Sequence, residues 1–129
     1  MTKQQAIDLA LRAKQTATEA QETADRLREE YEAASFATDK EKDKANEALK
    51  NLRRAIEDGD IYAIEEAVNA TAQARHRQAR AQASEEAKAA AAAIAEAEAK
   101  KAAKAADKAM LQAIEVAEKE LFPPKQPKP

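Results

Sequence analysis

Apolar residues recur through the first half of the chain at alternating spacings of three and four. This row keeps one phase from Ala6 to Ala55, and Thr38 and Glu41 are its only polar members. A 3-4 repeat places its members on one side of a helix, as in the seam of a coiled coil. The pattern predicts one helix from about residue 3 to 57. Its apolar seam positions are Ala6, Ala10, Ala13, Ala17, Ala20, Ala24, Leu27, Tyr31, Ala34, Ala45, Ala48, Leu52 and Ala55.

The segment Asp58-Gly59-Asp60 predicts the end of this helix and a reversal of the chain. Glycine adopts the left-handed conformation after a helix end, and an aspartate caps the amides of a following helix. A second helix is expected from 61 to 121, where Pro123 and Pro124 prevent its continuation. Its predicted stripe comprises Ala63, Ala67, Ala70 and Ala74 and then, after a polar stretch, Ala92, Ala95, Ala99, Ala102, Ala106, Ala109, Ala113 and Val116.

The predicted fold class is all-α, a long antiparallel helical hairpin that forms an alanine-rich coiled coil. Folding about the turn places residue i opposite roughly residue 118 − i. The polar seam residues Thr38 and Glu41 then face Arg80 and Arg77. We therefore predict an ion pair or hydrogen bond that interrupts the seam there.

A compact four-helix bundle is the alternative fold. Thr38 to Glu41 matches the Ser/Thr-x-x-Glu capping box, and Ser84 resembles a weaker helix start. Breaks at both positions would fold the hairpin back on itself. In either case residues 1–122 form a single helical domain, and 123–129 form an extended tail rich in proline and lysine.

The residue inventory argues against catalysis and against a bound cofactor or metal. The chain of 129 residues has no cysteine, one glycine and one histidine, and 3% of its residues are aromatic. These counts exclude thiolate sites, multi-histidine metal sites and glycine-rich phosphate loops. We expect no enzymatic activity, no cofactor, no metal and no small-molecule substrate.

The charge and hydropathy patterns bear on location and on nonspecific binding. The formal net charge is −2 with 36% charged residues, so no global field steers the chain toward nucleic acid or anionic lipid. The longest apolar run is far shorter than a membrane span of roughly 20 residues, and no signal peptide is recognisable. The expected location is the cytoplasm or the inside of a viral particle.

Large apolar residues collect at the open end of the hairpin. They are too many for one narrow seam, which indicates an apolar surface for another subunit or partner. A local core that locks the termini is the alternative. The residues are Ile7, Leu9, Leu11, Met110, Leu111, Ile114, Leu121 and Phe122.

A basic cluster lies midway along the second helix, at Arg75, His76, Arg77 and Arg80. The hairpin brings Lys40, Lys42 and Lys44 near it, and such a belt can contact phosphates. Acidic residues alternate with these lysines and no aromatic residues stand ready to stack on bases. Nucleic acid is therefore the less favoured partner, and a solvated charged belt is the alternative.

The preferred function is that of a structural or interaction protein. Such a hairpin would self-associate or act as a scaffold, spacer or adaptor in a larger assembly, and small helical proteins of phages and secretion machines have this character. The alternative is a helical inhibitor or adaptor that binds nucleic acid, or a nucleic-acid enzyme, through the basic belt. The Pro-x-x-Pro spacing of Pro124 and Pro127 is a further, weak docking signal.

Overall fold

The computed structural model describes residues 1–124 and shows two helices packed against each other as a hairpin. Helix α1 spans Lys3–Asp58 and helix α2 spans Ile61–Leu121, with no strand in the described part of the chain. The predicted all-α hairpin is therefore confirmed, and the predicted helix ends agree to within one residue. The Pro-x-x-Pro motif reaches into 125–129, outside the described residues.

The turn between the helices depends on one glycine and one aspartate. Gly59 has a φ of 70°, a left-handed conformation that ends α1. Its amide donates to the carbonyl oxygens of Ala55 and Ile56 at 3.0 and 3.2 Å. Asp60 Oδ1 accepts hydrogen bonds from the amides of Tyr62 at 3.1 Å and Ala63 at 3.4 Å. Asp60 is thus the N-cap of α2, and the chain reverses within two residues.

The seam of α1 follows the predicted row through its whole length. Every predicted member from Ala6 to Ala55 is buried or half-buried, including the polar residues Thr38 and Glu41. Ser35 is the only other residue of α1 that is not exposed. Heptad phase in an alanine-rich helix therefore identified the packed side without any tertiary information.

The seam of α2 departs from the prediction near the turn. Ala70 is exposed and Thr71 is buried in its place, while Ile64 shares the first seam position with Ala63. Beyond Thr71 the 3-4 spacing continues across the stretch that looked polar. Its inward-facing positions include Ala74, Gln78, Ala81, Glu85, Ala92, Ala95, Ala99, Ala102, Ala106, Ala109, Ala113 and Val116, each buried or half-buried.

One cross-helix hydrogen bond shows the register directly. Thr71 Oγ1 donates to the carbonyl oxygen of Ala48 at 3.3 Å. The predicted register placed Ala70 opposite Ala48, so the observed pairing differs by a single residue. That shift is why Thr71, and not Ala70, enters the seam.

The polar interruption at Thr38 and Glu41 forms no bond to the facing arginines, so that prediction was wrong. Thr38 Oγ1 donates to the carbonyl oxygen of Ala34 in its own helix at 3.0 Å. Glu41 pairs with Lys44 at 3.6 Å, while its buried Oε2 atom has no hydrogen-bond partner. Arg77 and Arg80 are exposed because the inward positions on this part of α2 belong to Gln78 and Ala81.

Neither capping signal inside the chain begins a new helix. Both helices continue through Thr38 and Ser84, and the four-helix alternative required a break at each. A reciprocal capping box instead precedes α1. The Gln5 amide donates to Thr2 Oγ1 at 3.2 Å, and the Thr2 amide donates to Gln5 Oε1 at 2.9 Å.

The contacts within the hairpin divide it into two units, each with its own alanine core. The turn unit is Leu27–Ala92, and the terminal unit combines Met1–Arg26 with the chain from Ala93 onward. All nine buried apolar residues of residues 1–124 are alanines, and no large side chain is fully buried. The nine are Ala6, Ala24, Ala45, Ala55, Ala74, Ala92, Ala95, Ala99 and Ala106.

Candidate interaction surfaces

The eight residues singled out at the open end of the hairpin are all exposed in the terminal unit. Their positions relative to the seam separate them into groups. Ile7 and Leu11 are four residues apart on α1, as are Met110 and Ile114 on α2, so each pair shares one face of its helix. Leu9 lies two residues from both Ile7 and Leu11 and therefore points away from them.

Ile7 and Met110 stand on the same flank of the hairpin. The seam residues Ala6 in α1 and Ala109 in α2 occupy the second apolar position of the heptad. Ile7 and Met110 directly follow these two alanines. In an antiparallel coiled coil the residues that follow this position in both helices line one side of the seam. We call Ile7, Leu11, Met110 and Ile114 the terminal face.

The other members of the predicted set do not join this face as a group. Leu111 occupies the outer side of α2, and Leu121 and Phe122 lie at its end, where both are exposed. The Phe122 amide still donates to the carbonyl oxygen of Glu118 at 2.7 Å. The structure therefore brings together four of the eight residues.

The basic cluster does not form one surface. Arg75, His76, Arg77 and Arg80 are all exposed, but successive residues point about 100° apart around the helix. Arg75 lines a groove on one flank together with Leu49, whereas Arg77 and Arg80 point to the other flank. The three arginines and His76 therefore do not form a single strip for a phosphate backbone.

Two of the three lysines expected to extend the basic belt make local contacts within α1. Lys40 Nζ lies 4.6 Å from the centre of the Phe36 ring, a cation–π contact. Lys44 contacts Glu41 within the same helix. Lys42 is exposed one position beyond the seam residue Glu41.

A second set of exposed apolar residues, which the sequence analysis missed, lies in the turn unit. Leu49 and Ile56 are seven residues apart on α1, and Ile61 and Val68 are seven apart on α2. Leu49 and Ile56 each directly follow a seam residue, Ala48 and Ala55. The seven-residue spacing is visible in the sequence. It indicates a surface shared by both helices only when the residues of each helix that face the seam are known. We call these four residues the turn face.

The opposite flank of the turn unit carries an open groove of about 500 Å³ with an alanine floor. Lys44, Glu47, Asn51 and Glu66 stand at its edges. It contains no bulky apolar side chain and no nucleophile. Its floor is made of Ala48, Ala55, Ala63, Ala67 and Ala70.

Other kinds of site are not found in the described residues. Residues 1–124 contain no cluster of three or more His, Asp or Glu side chains that would hold a metal ion. Within the same residues, neither helix includes an apolar stretch of the length needed to cross a bilayer. Comparison of the chain with protein families, curated proteins and solved structures finds no match.

Proposed function

We propose that the chain is a non-enzymatic structural protein, a helical hairpin that self-associates or serves as a scaffold, spacer or adaptor in a larger assembly such as a phage particle or secretion machine. The observation that carries this proposal is that small apolar residues are buried while large apolar residues are exposed. Every buried apolar residue of residues 1–124 is an alanine, while eight large apolar side chains lie exposed on the terminal face and the turn face.

The free energy of hydrophobic burial favours association. A buried methyl group contributes about 0.8 kcal/mol and a buried leucine or isoleucine about 1.5–3 kcal/mol. The hairpin alone therefore forgoes its largest hydrophobic contributions. A partner that covers a face recovers them.

The terminal face provides the test. Leu11 is 61% and Ile114 48% exposed, and they are matched off the face by Leu111 at 61% and Leu9 at 45%. The first pair and the control pair are each replaced by glutamate in the full chain. Both double variants add two charges at similar exposure, so only their position differs.

Light scattering over a range of protein concentrations measures the particle mass of each protein. We expect the wild-type chain to exceed 14.0 kDa and its melting temperature to rise with concentration, as mass action requires. Leu11→Glu with Ile114→Glu should lower the particle mass, and Leu9→Glu with Leu111→Glu should not. A wild-type particle that stays at 14.0 kDa with a constant melting temperature would contradict self-association.

A further inference from the structure

The seam between the helices has a polar section within the turn unit. The observed register, one residue from the predicted one, places Glu41 of α1 opposite Gln78 of α2. Both side chains are half-buried. Thr38 and Glu85, the next seam residues on one side of this pair that are polar, are half-buried as well. Four polar side chains therefore stand in a seam that is otherwise lined mainly by alanine.

Glu41 is poorly accommodated in this section of the seam. Its Oε1 atom lies 3.6 Å from Lys44 Nζ, while its buried Oε2 atom accepts no hydrogen bond, including none from Gln78 opposite. A buried oxygen without a partner loses the hydrogen bonds that water provides when the group is exposed. A rearrangement that gives this oxygen a donor is therefore favoured by that contribution.

Both helices carry a helix-start signal beside this polar section. Thr38 and Glu41 are spaced as in a capping box, and Ser84 is followed by two glutamates, which suit the first turn of a helix. Ala37, which precedes Thr38, lines the same groove of about 220 Å³ as Ser84. The two start signals therefore lie side by side across the seam.

We propose that the polar section is a hinge, at which α1 breaks before Thr38, α2 breaks before Ser84 and the two helices separate locally. The hinge state is a minor conformation in equilibrium with the continuous helices of the structure. This inference goes beyond the assembly role proposed above and does not depend on it.

The capping box gives Glu41 in the hinge state the hydrogen bond that it lacks in the seam. In the continuous helix, Thr38 Oγ1 donates to the carbonyl oxygen of Ala34 at 3.0 Å. After a break, Thr38 Oγ1 accepts from the Glu41 amide, and the Glu41 carboxylate accepts from the Thr38 amide. The same two residues thus support two arrangements of the chain.

A second capping-box spacing in α1 shows why the position in the seam matters. Thr16 and Glu19 have the same spacing, and Thr16 Oγ1 donates to the carbonyl oxygen of Arg12 at 3.0 Å. Both residues are exposed, so a break there would give no buried carboxylate a partner and would separate seam alanines. We therefore expect opening at Thr38 and not at Thr16, although the local signals match.

Amide hydrogen exchange of the full chain, measured by NMR, tests the hinge. A break before Thr38 removes the helical hydrogen bonds of the Asp39 and Lys40 amides. Glu41→Ala removes the buried carboxylate and should raise the protection of these two amides by about tenfold or more. The matched control, Glu19→Ala, should change the protection of residues 17–18 by less than about twofold.

The dependence of exchange on urea separates a hinge from global unfolding. A local opening exposes little surface, so its exchange rate changes little at low urea, whereas exchange through global unfolding accelerates steeply. We expect the first behaviour for the Asp39 and Lys40 amides and the second for those of Ala48 and Leu52. If Glu41→Ala raises protection equally at all four amides, or if all four respond equally to urea, the hinge is wrong and Glu41 only lowers global stability.

Substitutions in α2 test whether the two breaks are one event. Ser84→Ala removes the N-cap from α2 and leaves the capping box of α1 intact, and Gln82→Ala is the control at another exposed position of α2. If the breaks are coupled, Ser84→Ala should raise the protection of the Asp39 and Lys40 amides by about threefold or more, and Gln82→Ala should not. Unchanged protection in α1 with Ser84→Ala would overturn a hinge that includes both helices.

Discussion

Thr71 in α2 donates a hydrogen bond from its hydroxyl to the carbonyl oxygen of Ala48 in α1, across 3.3 Å. The single hydroxyl proton is shared with the carbonyl oxygen of Ala67 in its own helix, which lies closer, at 2.7 Å, so the hydrogen bond is bifurcated. Thr71 is the only buried polar residue among residues 1–124. Alanine methyl groups are nearly alike along the seam, so this directional contact distinguishes one register from its neighbours.

We expect Thr71→Val to lower the free energy of unfolding by about 1 kcal/mol, because the isosteric side chain fills the same space without the hydrogen bond. Urea unfolding at a fixed protein concentration measures the change. Thr23→Val is the matched control, since Thr23 is exposed and donates only to the carbonyl oxygen of Glu19 within its helix. If the two substitutions lower the free energy of unfolding equally, the cross-helix hydrogen bond does not contribute to stability as predicted.

Gly59→Ala should destabilise the hairpin by about 1 kcal/mol through backbone strain alone. A Cβ atom added at this position meets nothing within 4 Å, so the positive φ of 70° is the sole source of the cost. Gly59→Asn should cost less, because asparagine tolerates the left-handed conformation. Thermal unfolding of the three proteins at one concentration gives the order, and an alanine variant as stable as the wild type would refute it.

Replacing Arg75, Arg77 and Arg80 together by alanine should change DNA affinity by less than about twofold at low ionic strength, because Arg75 points to one flank of the hairpin and Arg77 and Arg80 point to the other. Fluorescence anisotropy with a labelled duplex measures the affinity. The nucleic-acid alternative requires the opposite result, a large loss of affinity that also flattens the salt dependence. Such a loss of affinity would support the basic belt as the surface that binds nucleic acid.

Sequence pattern alone was sufficient for α1 and for the turn. Helix propensity and heptad phase are local properties, and a row of alanines from Ala6 to Ala55 repeats them often enough to identify the packed side. Gly59 and Asp60 act on their own neighbours through backbone conformation and capping, so their roles were also predictable.

The tertiary structure decided which residues of α2 face α1. Polarity suggested that Ala70 faces α1, but Thr71, Gln78 and Glu85 face it instead. The residues of a rigid helix that face a neighbouring helix are fixed by the register between the two helices, whether those residues are polar or apolar. The turn face shares this origin. Leu49 and Val68 become members of one surface only when two helices, distant in sequence, are held side by side, and no local property of either helix contains that relation.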